Sequence, residues 1–233
     1  MAVLAAVAFA APAKQEAQAV RITGTFTTGS GGIVGTGESL WFPTPGTFRD
    51  VTSDCTRSSE TRGRAVVSNG QLVLTARGKT DALTPVEWGV RQYLVRDLLE
   101  FVNDINAGIE PRDDERGSAL LRVDDWKKPV AGRPRLPTPW SDRILARAIE
   151  ARIAAVLPAG AVPKGQPARV RATLPLGTDD GVFTGMVLWA DREAGVWPSP
   201  VTVRSTDADR CTIEAVGGDL KVEQMIRSRR VHP

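Results

Sequence analysis

The single histidine, His232, is the residue of this 233-residue chain best suited to act as a general base near neutral pH. It is the penultimate residue, in a position that is hard to hold rigidly. A Ser-His or Cys-His nucleophilic mechanism needs a base that is fixed beside its nucleophile. We therefore expect neither such a mechanism nor a histidine-rich zinc site.

Carboxylates form groups that can in principle do acid/base work or bind Ca²⁺. These groups are Asp113-Asp114-Glu115, Asp124-Asp125, Asp179-Asp180 and Asp207/Asp209. Solvated turns are the favoured interpretation, because arginines flank the first group and Asp179-Asp180-Gly181 has the sequence of a hairpin turn. Asp207-Ala208-Asp209 lacks the further ligands that a calcium site needs, so the sequence predicts no catalytic and no metal-binding residues.

The glycine-rich run "GSGGIVGTG", residues 29–37, resembles a phosphate-binding loop in composition. A dinucleotide fingerprint needs G-x-G-x-x-G at the start of a helix, but the sixth residue counted from Gly29 is Val34, and the chain has no Gly-Lys-Ser/Thr. The run predicts a flexible hairpin loop, and no cofactor is expected.

The two cysteines, Cys55 and Cys211, are far apart and form no Cys-x-x-Cys motif, so neither zinc nor thioredoxin-like chemistry is indicated. Ordinary buried thiols are one interpretation. In an exported protein a Cys55–Cys211 disulfide would be natural, although spacing alone cannot show that the two side chains meet.

Six tryptophans accompany a single tyrosine and are spread over the whole chain, at positions 41, 88, 126, 140, 189 and 197. A stacking surface for a sugar or a base is one interpretation. Anchors of the core or of subunit contacts are favoured, because the tryptophans do not cluster in one segment.

Composition indicates a folded globular protein, since 42% of the residues are hydrophobic. Thirty Lys and Arg residues against 27 Asp and Glu residues give a net charge of +3, which does not by itself demand a nucleic-acid partner. The basic residues are 24 Arg and six Lys. We interpret this excess as compositional bias, and no nucleic-acid binding is expected.

Residues 20–80 are predicted to form a β-rich domain. "VRITGTFT" alternates apolar and polar residues, "ESLWF" and "RAVVS" are short apolar runs, and "QLVLTA" follows the turn sequence Ser68-Asn69-Gly70. These segments predict four or five antiparallel strands separated by long polar loops.

Residues 81–160 are predicted to form a helical segment. Thr84-Pro85-x-Glu87 has the form of a capping box, and apolar residues then recur at spacings of three and four, so we expect an amphipathic helix from Pro85 to about Asn106 that ends at Ala107-Gly108. "ALLRV" predicts a strand and residues 127–140 a proline-rich linker. "SDRILARAIEARIAAVL", residues 141–157, predicts a second helix.

Residues 165–233 return to two-residue periodicity and predict a C-terminal β-rich domain. The predicted fold class is therefore α+β, with antiparallel β-rich segments flanking two amphipathic helices. No internal repeat is evident, which argues against a solenoid.

Residues 1–19 form an apolar N-terminal arm or a signal-like segment. The apolar run Ala2–Ala11 and the Ala11-Pro12-Ala13 sequence fit a cleavable signal, but no Lys or Arg precedes Lys14. The run falls short of the roughly 20 residues that a membrane span needs. We expect no membrane span, and either cleavage of the segment or its burial against a neighbouring subunit.

Residues 20–95 carry the motifs "VRITGTF", a Gly-rich turn, "ESLWFPTP" and "VVSNGQLVLTARGKTDALTPVEWGV". Together they resemble a small β-domain found in tail and other virion proteins of phages that infect high-GC actinobacteria. In that family Leu-Thr-Pro-x-x-Trp leads into another strand, whereas the spacing here predicts a helix. The resemblance implies a structural part and carries over no catalytic residues.

These observations predict a non-enzymatic structural subunit of a phage particle. Its expected partners are other protein subunits in a homo- or hetero-oligomer, and its expected location is the virion. The alternative is an exported envelope or lumenal binding protein, periplasmic, extracellular or lumenal, with an N-terminal signal and a Cys55–Cys211 disulfide. An enzyme with a carboxylate or metal site is the third hypothesis.

Overall fold

The computed structural model describes residues 22–28, 37–53, 56–111, 118–158, 165, 167–192, 196–217 and 219–230. Within these ranges the chain forms fifteen β-strands in two sheets and one α-helix. The β-rich character predicted from the sequence is confirmed. The prediction of two amphipathic helices is wrong, because the described residues contain a single α-helix.

Eight strands form a closed antiparallel barrel, here called barrel 1. They are β1 Gly24–Thr27, β2 Gly37–Phe42, β3 Thr47–Ser53, β4 Ser58–Ser68, β5 Gln71–Ala76, β6 Lys79–Trp88, β7 Arg91–Val95 and β8 Ala119–Arg122. Each strand pairs with the next one along the chain, and β8 closes the barrel on β1 through the pairs Phe26 with Arg122 and Thr27 with Leu121. Barrel 1 therefore extends well beyond residue 80.

The interior of barrel 1 follows from the two-residue alternation of its strands. Its buried side chains are Phe26, Leu40, Phe42, Phe48, Ala65, Leu72, Leu74, Leu83, Leu94 and Leu120. Asn69 and Gly70 have φ angles of 50° and 75°, which suits the two-residue turn between β4 and β5. This hairpin confirms the turn predicted from Ser68-Asn69-Gly70.

The helix predicted from Pro85 to Asn106 is largely wrong. Thr84 and Pro85 lie inside β6, a further strand follows Trp88, and α1 spans only Leu98–Ala107. The apolar spacing misleads because residues 83–86 of β6 and most of β7 are buried, some in the core of barrel 1 and some beside α1, so their apolar residues do not alternate simply with polar ones. The predicted end is correct, since Gly108 has a φ of 73° and terminates α1.

The second predicted helix, residues 141–157, is also wrong. Trp140–Arg143 forms a short 3₁₀ turn, which is followed by β9 Glu150–Arg152 and β10 Ala155–Val156. Ile144 and Ile153 are buried in the core of the second sheet, which is described next, so the apolar residues of this segment mark points where an extended chain crosses that core. Ile144, Ile149 and Ile153 follow one another at intervals of five and four residues, which resemble helical spacing by coincidence.

The second sheet contains seven strands in the order β10-β11-β14-β13-β12-β15-β9. The remaining ones are β11 Arg169–Leu174, β12 Val187–Ala190, β13 Ser199–Thr206, β14 Cys211–Val216 and β15 Met225–Arg227. Strands β12, β13 and β14 form a meander that places β14 beside β11, which is a Greek-key arrangement. The predicted C-terminal β-rich segment is thus present.

The two edge strands of this sheet, β9 and β10, belong to one kinked segment. The Ile153 amide donates to the Gln224 carbonyl at 3.0 Å on the β15 side, and the next amide, Ala154, donates to the Thr173 carbonyl at 2.9 Å on the β11 side. One segment therefore joins the two edges of the sheet. This seven-stranded sheet, whose edges that segment bridges, is called barrel 2.

Helix α1 joins the two barrels. One side of it, including Phe101, packs on the outer face of β6, β7 and β8, while Val102 belongs to the core of barrel 2. The Asn103 amide donates to the Gly185 carbonyl at 3.2 Å, and its oxygen accepts from the Val187 amide at 3.1 Å. The helix thus packs against one barrel and closes one end of the other.

The proline-rich linker, residues 127–140, lies against barrel 1. The Trp88 Nε1 group donates to the Gly132 carbonyl at 2.9 Å, and the Arg135 amide donates to the Glu87 carbonyl at 2.7 Å. The linker is thus held by β6 along part of its length.

Candidate functional site

The end of barrel 2 opposite α1, here called the upper end, exposes several large apolar side chains. It comprises the described residues of the loops 191–198 and 217–224 and the adjoining strand ends. The apolar side chains exposed there are Val196, Trp197, Val216 and Val222. Val216 is 56% exposed and Val222 is 54% exposed. Grouped exposed apolar side chains of this kind mark contact surfaces more often than scattered ones do.

Two adjoining cavities lie at the upper end. The larger, of about 580 Å³, is lined by Val196 and Val222 together with polar side chains of both loops. The smaller, of about 210 Å³, lies beside Val216. Arg192, Asp219 and Gln224 line both cavities, so the three exposed valines and the cavities form one continuous surface.

Polar contacts fix the shape of the upper end. The Gln224 side-chain amide donates to the Asp191 carbonyl at 2.7 Å, which ties the two loops together. Arg227 Nε donates to Asp191 Oδ2 at 2.9 Å. This hydrogen bond to Asp191 raises the pKa of the Arg227 guanidinium, against a smaller opposing effect of burial. The loop that begins at Asp191 is therefore fixed both to the loop 217–224 and to Arg227 of β15.

Arg230 lies between two indole rings beside the upper end. Its guanidinium carbon is 5.0 Å from the centre of the Trp189 ring and 4.8 Å from that of Trp197. These are cation–π distances. The Arg230 amide also donates to the Ala107 carbonyl, at the end of α1, at 3.1 Å. The half-exposed Trp197 is thereby held in place.

The outer face of barrel 2 carries a second polar feature, here called the arginine cluster: Arg169, Arg171 and Arg204 around Glu214. Arg169 Nη1 and Arg204 Nη2 donate to Glu214 Oε1 at 3.0 and 2.7 Å, and Arg171 Nε donates to Oε2 at 3.0 Å. The Glu214 side chain is 1% exposed, whereas the three arginine side chains are 44 to 59% exposed.

Glu214 is charged in this environment. Burial acts to raise the pKa of its carboxyl, but hydrogen bonds from Arg171, Arg204 and Arg169 and the positive charge of Arg204 hold that pKa below its usual range. Arg204 lies at a register shift between β13 and β14, where a β-bulge redirects a side chain. The cluster thus combines one carboxylate with three guanidinium groups.

A third polar cluster lies at one mouth of barrel 1. Both terminal nitrogens of Arg96 donate hydrogen bonds to the Glu38 carboxylate, and Arg96 Nε lies 3.4 Å from Asp81 Oδ2. Burial raises the pKa of the Asp50 carboxyl, and the nearby Glu38 and Asp81 carboxylates add to this rise against the effect of Arg96. In the described part of the chain, no group of three or more His, Cys, Asp or Glu side chains is arranged to hold a metal ion.

Several residues singled out from the sequence lie outside the described ranges. They are His232, Cys55, the Asp113-Asp114-Glu115 group, residues 29–36 of the glycine-rich run and the N-terminal arm, residues 1–19. Cys211 is a buried free thiol in β14, and burial raises its pKa to about 11. The described contacts therefore give no support to the Cys55–Cys211 disulfide.

The remaining carboxylate groups lie in turns. Asp125 is buried and accepts hydrogen bonds from the Gln92 amide and from Lys128, while its neighbour Asp124 is exposed. Asp179 and Asp180 lie in a 3₁₀ turn that contacts the loop containing Asp207. The structure therefore does not bring these groups into one acid/base pair.

The tryptophans divide between packing and surface positions. Trp88 and Trp126 pack beside α1, and Trp140 packs against the core of barrel 2. Trp41 is exposed on the outer face of barrel 1, where Arg49 lies 5.8 Å from its ring centre. The rings do not form one stacking surface.

The arginine cluster was missed by the sequence analysis. The available signal was the alternation Arg169-x-Arg171 in β11, which puts both side chains on one face of a strand. Glu214 lies more than 40 residues further along the chain, and its pairing with β11 is a property of the sheet. Spacing alone could not associate the two.

No protein-family model, curated protein or solved structure matches this chain. In the residues that the structure describes, no helix is long and apolar enough to cross a membrane.

Proposed function

We propose that the protein is a non-enzymatic structural subunit of a phage particle, a tail or other virion component, that acts through protein–protein contacts. The observation that carries the proposal is the group of exposed apolar side chains at the upper end of barrel 2. Burying apolar surface of this kind against a partner contributes about 25 cal/mol per Å².

The architecture supports a structural role. Barrel 1 and barrel 2 share one helix, which packs on the outer face of the first and contributes Val102 to the core of the second, and so couples them mechanically. The upper end of barrel 2 lies opposite that helix, where a second protein can approach it. The virion assignment is supported by the resemblance of residues 20–95 to virion β-domains, and the partners are other protein subunits, identical or different.

Replacing Val216 and Val222 with Asp tests the proposal directly. Both side chains are exposed, so we expect an unchanged circular dichroism spectrum and a loss of assembly on a sizing column. Val66→Asp is the matched control, because Val66 is equally exposed, at 58%, but lies on the outer face of barrel 1. Assembly that survives the double substitution, or fails equally in the control, would contradict the proposal.

The apolar N-terminal segment gives an independent test. Residues 2–13 are almost wholly apolar, and we propose that they are buried against another subunit. Deleting them should leave both barrels folded and abolish assembly, as measured by native mass spectrometry. A truncated protein that assembles normally would overturn this part of the proposal.

A further inference from the structure

We propose that the arginine cluster of barrel 2 binds an extended acidic segment of a partner protein. This inference rests on the proposed function only in that the occupant is a protein. The surface involved is the outer face of β11, β14 and β13, which adjoins the upper end where Arg169 pairs with Val216.

The cluster carries more positive charge than its own carboxylate can balance. Glu214 neutralises one guanidinium, and two positive charges remain close together on the surface. Among the described contacts, Arg169, Arg171 and Arg204 have no acidic partner other than Glu214. One arginine would suffice to neutralise Glu214 in the folded protein. The two further positive charges are therefore available to bind another anion.

Glu214 also holds the guanidinium groups in position. It lies beneath them, and each arginine uses only one or two of its N–H groups to reach it. The remaining N–H groups are on side chains that are about half exposed. Because the side chains are already ordered, binding an anion costs less conformational entropy than it would on free arginines.

The spacing of the cluster fits an extended peptide. Arg169 and Arg171 are alternate residues of β11 and share one face of the sheet, so their Cα atoms are about 6.6 Å apart. Carboxylates at alternate positions of an extended segment have the same spacing. Guanidinium groups can bind such carboxylates through paired hydrogen bonds.

A protein segment fits this face better than a nucleic acid does. Single-stranded nucleic acids bind where aromatic rings stack on their bases. None of the described residues of β11, β14 and β13 is aromatic, and the side chains that share the outer face with the arginines include Thr202 and Thr212. The surface therefore offers charge without a stacking platform.

The test measures binding of a short synthetic peptide in which aspartate alternates with threonine, by fluorescence anisotropy at low salt. The double variant Arg169→Gln/Arg171→Gln should bind at least about tenfold more weakly, because charge-assisted hydrogen bonds are lost. Arg204 still pairs with Glu214 in that variant, so the fold should survive. The single variants should show intermediate losses.

Arg64→Gln is the matched control, since it removes the same charge from an exposed position on barrel 1. The affinity of this variant for the peptide should stay within about twofold of that of the wild type. The proposal is overturned by three results: no binding to the wild-type protein, equal loss in the Arg64 control, or tighter binding of single-stranded DNA that the double variant also loses. Peptide binding and assembly are measured separately, so a failure of this proposal is distinguished from a failure of assembly through the upper end.

Discussion

Barrel 1 and barrel 2 are assembled from their strands in different ways. Barrel 1 is a simple meander in which every strand pairs with its neighbour along the chain, and only the contact of β1 with β8 spans the whole barrel. Barrel 2 depends on pairings between distant segments, such as β9 with β15 and β11 with β14. The two edges of its sheet are also bridged by one kinked segment, which contains β9 and β10.

This difference determines how each barrel uses α1. Barrel 1 has a complete core without the helix and receives it on its outer face. Barrel 2 incorporates Val102 of α1 into its only extensive described core. A helix that follows a strand of the first barrel thus completes the second, so the two barrels should unfold together.

The largest effect is expected from Phe101→Ala. Phe101 is fully buried and its ring centre lies 5.6 Å from that of Tyr93 on barrel 1. The substitution should lower the free energy of unfolding by about 3–5 kcal/mol and leave a single transition for both barrels in urea. Leu98→Ala, at a half-buried position of the same helix, should cost less. Two separate transitions in the wild-type protein would show that α1 does not couple the barrels.

Asn103→Ala should have the next largest effect, because it leaves the Gly185 carbonyl and the Val187 amide without partners. We expect a loss of about 1–3 kcal/mol. Hydrogen exchange should quicken in β12. Asn106→Ala is the control, since it removes similar bonds to Arg143 and Leu145 and should affect that segment instead. Identical exchange changes in both variants would contradict a specific role for Asn103.

Asp97→Ala should cost about 1 kcal/mol, since its carboxylate caps α1 by accepting from the Leu99 and Glu100 amides. Thr84→Ala is the informative comparison, because Thr84 lies in β6 and not at a helix start. Amide exchange in α1 should quicken in the Asp97 variant and stay unchanged in the Thr84 variant. A reversal of these results would restore the helix start predicted from the sequence.

The smallest effect concerns pH, where Asp50 of barrel 1 and Glu214 of barrel 2 should contribute with opposite sign. The pKa of Asp50 in barrel 1 is raised above its ordinary 3.8, so its favourable contribution is complete below that value and is lost as pH rises through the folded-state pKa. The pKa of Glu214 in barrel 2 is lowered, so its contribution is present above the ordinary glutamate value and is lost as pH falls.

Asp50→Asn should therefore gain stability relative to the wild type as pH increases from about 4 to about 7. Urea denaturation at a series of pH values measures this difference. A gap between variant and wild type that is constant with pH would mean that Asp50 titrates alike in the folded and unfolded chains.

Local sequence determined the strands and turns that do not depend on contacts with distant segments. Strands with one face inside barrel 1 and one face in solvent alternate clearly, and Asn69-Gly70 and Gly108 end their elements because the backbone there needs a positive φ. The C-terminal strands were predictable for the same reason. None of these features depends on a distant partner.

Tertiary structure decided the conformation of the segments that are buried on both faces. Residues 83–95 look helical because β6 and β7 face the interior of barrel 1 on one side and α1 on the other, so burial erases their alternation. Residues 141–157 look helical because an extended chain crosses the core of barrel 2 at nearly helical intervals. The arginine cluster likewise exists only because the sheet places β11, β13 and β14 side by side, which no local spacing in the chain encodes.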